Sequence, residues 1–153
     1  MPRVSFVACS LTSIVDRFTN LLTVVGVVES LPIPSFPFWI PSLSYSAVIR
    51  REQGDGNSVP GRITIRIGET TLTQSPVSAE FGEAQGAQVV LNFQGLGVPS
   101  AGDLEFVLEF NERVVSTYKI QLVAVSTIAR SVSSPTPDPA NPPEGIPMAR
   151  AAS

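Results

Sequence analysis

Ser116 and Lys119 stand in the S-x-x-K spacing that serine β-lactamases use, with the serine as nucleophile and the lysine as its base. That chemistry needs a helix, where residues three apart share a face; in a strand they point to opposite faces. Alternating apolar residues from Val114 to Val123 predict a strand. The companion S-D-N and K-T-G motifs are missing, and Lys119 is the only lysine in the chain. The match is therefore read as chance.

Other reactive sets fare no better. The chain has no histidine, which removes histidine-activated nucleophiles and histidine metal sites, and Cys9 is its one cysteine. Asp55 and Asn57 in "GDGN" resemble the opening of a calcium loop. Pro60 and Arg66 occupy the places where an EF-hand counted from Asp55 needs Gly and Glu. Gly95-Leu96-Gly97 lacks the third glycine of a phosphate-binding turn. Glu105 and Glu109, four residues apart on a strand, lie ~13 Å from one another, too far to act together on a glycosidic bond. No catalytic residue, cofactor or metal ligand is assigned.

Arg50, Arg51, Arg62 and Arg66 place four positive charges on two strands expected to be adjacent. They are read as edge protection, since no aromatics interleave for base stacking. A net charge of −3 gives no general attraction to nucleic acid or anionic lipid.

The elements that must position these residues follow from period-2 patterning. Predicted strands are Val4–Cys9, Leu21–Val28, Leu43–Arg51, Arg62–Ile67, Ala87–Phe93, Leu104–Phe110 and Val114–Val123, with a short extra one near Thr70–Thr73. Seven or eight strands with short turns predict an all-β, antiparallel β-sandwich over residues 1–125. Leu43, Tyr45, Ala47 and Ile49 share one core face; so do Ile63, Ile65 and Ile67, and so do Leu104, Phe106, Leu108 and Phe110. Leu21–Val28 is apolar on both faces and is expected to be a central strand. Leu11–Phe18 is expected to form a turn or two of helix, and Glu52–Gly61 a loop. Leu31–Ser42, with four prolines, is expected to be a loop carrying Phe36, Phe38 and Trp39. Residues 126–153 lose all periodicity and hold six prolines between Pro135 and Pro147, the composition of a disordered tail or linker.

No apolar run approaches the ~20 residues of a membrane-spanning helix. The opening "MPRVSFVACS" alternates like a strand, without the continuous apolar run of a signal peptide. With one cysteine no internal disulfide forms, and a reducing, cytoplasmic setting is expected.

"VSFVACS", "LLTVVGVVESLPIPSFPF", "SLSYSAVIR" and "VPSAGDLEFVLEFNERVVSTYKIQLVAV" together resemble a family of small bacterial proteins known only as a domain of unknown function. Its features fall at Cys9, at Val24-Val25-Gly26-Val27, at Phe36-Pro37 and at Pro99 through Phe106. Ser10 stands where the family has an acidic residue, and the Pro-rich tail has no counterpart. The resemblance implies a β-sandwich and carries no activity or site residue over to this chain. With no reactive set assigned, the expected role is non-enzymatic, through binding of a protein partner or self-association. Phe36, Phe38 and Trp39 are the expected contact residues. A small-ligand or carbohydrate-binding module is the alternative, and a hydrolase using carboxylates alone is third.

Overall fold

The computed structural model describes residues 1–125; the expected tail at 126–153 lies outside the described residues. Nine strands run in order: β1 (Arg3–Val15), β2 (Leu22–Val27), β3 (Ser30–Ile33), β4 (Phe38–Arg50), β5 (Ser58–Ile67), β6 (Thr70–Glu80), β7 (Gly86–Val98), β8 (Gly102–Phe110) and β9 (Arg113–Ala124). They form a four-stranded sheet, β2-β1-β4-β7, and a five-stranded sheet, β3-β9-β8-β5-β6. Every pairing is antiparallel except β3 with β9, which is parallel. The all-β sandwich is as the patterning predicts, with nine strands.

The core lies between the sheets, and the alternation explains it. Leu43, Tyr45, Ala47 and Ile49 from β4 meet Ile63, Ile65 and Ile67 from β5 and Leu104, Phe106, Leu108 and Phe110 from β8, all buried. Removing each large side chain from water contributes roughly 1.5–3 kcal/mol.

Several local expectations are corrected. Leu11–Phe18 is not helical: β1 continues to Val15, and Asp16–Asn20 closes a hairpin to β2. The spacing of Leu11, Ile14, Val15 and Phe18 imitates a helix face, but pairing with β2 decides the conformation. Leu21–Val28 is not central, because β2 sits at the edge of its sheet. The Pro-rich segment is not all loop. Pro32 lies in the edge strand β3, and β4 already begins at Phe38, with Pro41 beyond the last β1 pair at Ser44. β5 starts at Ser58 rather than Arg62, and the short strand at Thr70 runs on to Glu80. β4 and β5 belong to different sheets, so the arginines do not form one stripe. β5 also lies between β8 and β6, so Arg62 and Arg66 protect no edge.

The β1–β2 hairpin does not simply extend its sheet. Ser10 and Ser13, three apart on β1, face each other at 2.9 Å, and Ser13 Oγ also accepts a 2.6 Å bond from Ser46 of β4. A flat strand cannot bring residues three apart together. Beside this bend Gly26 adopts φ +68°, in the left-handed region that suits glycine. At the tip, Gln88 Nε2 of β7 donates 2.7 Å to the Asn20 carbonyl. The far half of the hairpin thus folds back over the outer face of its own sheet. This covering buries Ser10, Ser44 and Ser46 on that face.

Candidate interaction surface

Glu105, Glu109, Arg62 and Arg66 lie on the solvated outer face of the five-stranded sheet, already matched. Arg62 bonds Glu109 at 2.7 Å, and Arg66 and Lys119 bond Glu105 at 2.8 and 2.7 Å. The register imposes this: Arg62 is opposite Glu109, Arg66 opposite Glu105, and Glu105 opposite Lys119. Lys119 and then Arg66 hold the Glu105 carboxyl below its ordinary value, against a smaller opposing effect of burial, and Glu105 in turn raises Lys119. Each glutamate faces cations rather than the other glutamate. Lys119 faces away from any nucleophile role and into this ladder.

The "GDGN" loop is held from within. Asp55 Oδ2 accepts the Glu52 N–H at 2.9 Å, while the Arg51 guanidinium donates to the Asp55 carbonyl, to Asn57 Oδ1 and to the Gly82 carbonyl. Among the described residues no group of three His, Cys, Asp or Glu side chains is placed to hold a metal.

Cys9 is fully buried beside Tyr45, and desolvation pushes its thiol far above its ordinary value. A thiol held protonated in this way is a packing group rather than a nucleophile.

The three aromatics of the Pro-rich segment divide. Phe36, preceding a cis peptide to Pro37, and Phe38 are partly buried and pack against the core. Trp39 faces outward from β4 and is 69% exposed. Its ring lies over Gly97 of β7, where an added Cβ would meet it at 3.3 Å. A shallow hollow of about 430 Å³ runs alongside, lined by Trp39, Leu72, Thr73, Asn92 and Gln94 among others.

The larger apolar feature is the hairpin, whose exposure the sequence reading missed. Leu11, Ile14, Leu21, Val25 and Val27 are each more than half exposed, and Phe18 at the tip is fully so. Cross-strand pairs Thr12–Val25 and Ile14–Thr23 share one face, opposite the Ser13–Val24 and Val15–Leu22 face. A clue was present: apolar residues on both faces of Leu21–Val28 demand two coverings, and only the inner side finds one within the described residues. The tip is held by Asp16, whose Oδ1 accepts the Phe18 and Thr19 N–H groups at 2.8 and 2.9 Å. These bonds hold its carboxyl below the ordinary value.

Fold and surface together define a two-sheet β-sandwich with its charges paired on one face and apolar side chains displayed on the other. Residues 6–123 match the model of a family of unknown function (DUF6941), and the chain belongs to that family. No curated protein matches the sequence. The membership agrees with the resemblance of the motifs to a domain of unknown function.

Proposed function

We propose that this is a non-enzymatic, cytoplasmic β-sandwich that works through contact with another protein or with itself. The observation that carries the reading is the β1–β2 hairpin, with six large apolar side chains turned to water on one element. Contiguous patches of this kind mark contact surfaces. The hairpin is also a built feature: its inner face is tied to Ser46 and Gln88, and its tip is closed by Asp16. Trp39, exposed beside β7 elsewhere on the surface, adds a rigid aromatic of the type that anchors partners.

A photo-crosslinking residue at Val25, introduced into the full chain in cells, tests the reading. It should give covalent adducts with protein that the same residue at the exposed turn position Glu69 does not. Adducts no more frequent than at Glu69 would overturn it.

One observation favours a second reading, a small-ligand or carbohydrate module. The exposed Trp39 ring, with Thr73, Asn92 and Gln94 around the hollow, offers an apolar platform beside hydrogen-bonding groups. Asn92 Oδ1 already accepts the Ser44 hydroxyl at 2.8 Å, which reduces what it can offer a ligand.

A further inference from the structure

We propose that the occupant of the hairpin is a second copy of this chain, packed hairpin on hairpin, face to face and antiparallel about a two-fold axis. This rests on the reading of the hairpin as a contact surface and names its partner.

The area fits. Ile14, Leu21 and Val25 on the outer face, with Phe18 at the tip and Val27 towards the base, are half to fully exposed and present on the order of 500 Å². That is towards the upper end for a monomer's largest apolar patch and more than half of the ~800 Å² each partner contributes to a standard interface. The charge pattern permits self-contact as well. Between Val4 and Val28 the only charged residues are Asp16 and Arg17, both in the turn at the tip. The patch itself is neutral, so laying it on its own copy sets no like charges together, despite a net charge of −3 per chain.

The ends of the hairpin choose the orientation. Arg17 sits at the tip and Glu29 just past the base, where the chain leaves β2 for β3. Both are exposed, and neither is in a salt bridge with another described residue. Asp16 is occupied by the turn's own N–H groups. Antiparallel packing brings Arg17 of each copy to Glu29 of the other, twice by symmetry. Parallel packing would set tip on tip and lose both pairs. Face contact is preferred to edge pairing of β2 because edge pairing would leave Ile14, on β1, in water.

Sedimentation equilibrium of the full chain over a wide dilution series tests the proposal. A concentration-dependent monomer–dimer equilibrium is expected. Ile14→Lys, at an exposed site one strand in from the free edge, should weaken it by roughly thirtyfold or more, with the far-UV circular dichroism unchanged. Phe18→Ser provides a second variant, at the tip, should the first fold poorly. Arg17→Glu and Glu29→Arg should each weaken association by about threefold or more, and the double variant should restore it. A chain that stays monomeric at every concentration overturns the proposal, while the crosslinking at Val25 still decides the wider reading. A dimer indifferent to Ile14→Lys, or one that the double charge reversal does not restore, overturns it as well.

Discussion

Tyr45 and Phe106 stack across the two sheets, with ring centroids 5.8 Å apart and planes inclined by 12°. Both are fully buried, and Phe93 leans on Phe106 at 6.0 Å from the side. This contact ties β4 of one sheet to β8 of the other. Removing the Phe106 ring should leave a cavity that the flanking strands cannot close. Phe106→Ala is therefore expected to cost about 3–5 kcal/mol, read from the shift in the urea midpoint. A cost below about 1 kcal/mol would mean that the sheets re-close around the gap.

The Tyr45 hydroxyl is buried and has no hydrogen-bond partner in good geometry among the described residues. Burying such a group costs about 1–3 kcal/mol, so Tyr45→Phe should leave stability equal or slightly raised. A loss beyond about 1 kcal/mol would show that the hydroxyl does find a partner, with the Ser116 side chain within its reach.

Acid should act through Glu105. Its folded-state pKa is depressed by Lys119 and Arg66. A carboxyl shifted down stabilises the fold above its unfolded value of about 4.3, and that stability is lost as pH falls through the lower folded value. Glu105→Gln should be less stable than the parent at pH ~7 and converge with it in strong acid. Parallel stability–pH curves for the two proteins would refute the assignment.

Gly61 of β5 pairs with Phe110 of β8, and an added Cβ would run into the Glu109 carbonyl and the Phe110 ring. Backbone cannot yield there as a surface side chain can. Gly61→Ala should destabilise by ~3 kcal/mol or more, since overpacking a closed site forces backbone shifts. Gly82→Ala makes a useful contrast: nothing lies within 4 Å of its would-be Cβ, and only its φ of +55° opposes the change. Its cost should be about 1–2 kcal/mol.

Trp39 reports on its own surroundings. At 69% exposure its emission should be that of a water-facing indole, open to acrylamide, and Trp39→Ala should cost less than about 1 kcal/mol. Blue-shifted emission in dilute solution, shielded from quencher, would place the ring under cover.

The β8–β9 hairpin was legible because the outer face of its sheet is wet. Asp103, Glu105 and Glu109 alternate with Leu104, Phe106, Leu108 and Phe110, so period 2 exposes both register and core. The β1–β2 hairpin was not, for a physical reason. Leu21 to Val28 carries apolar residues on both sides, a pattern shared by a strand covered twice and by one covered once with its other face displayed. Sequence cannot separate them, because the difference lies in whether Ser46 and Gln88 are underneath. β3 escaped notice because Pro32 argues against a strand and its partner lies far along the chain. Phe36, Phe38 and Trp39 drew attention by type alone, and only the register with Gly97 separates the exposed Trp39 from the other two.

The parallel pairing of β3 with β9 sets an order of events during synthesis. Ser30 lies beside Gln121 and Ile33 beside Ala124, while the Tyr118 hydroxyl donates 3.0 Å to the Val28 carbonyl. The segment leaving the ribosome after the first hairpin therefore waits for nearly the whole sandwich to be translated before its one partner strand exists. Contacts of such long sequence separation form slowly and late. Until β4 and β7 emerge, the nascent chain holds the hairpin with neither Ser46 nor Gln88 beneath it and apolar residues on both faces. Early in its life the protein is thus at its most adhesive, and what a folding factor or a neighbouring nascent copy would meet first is this hairpin.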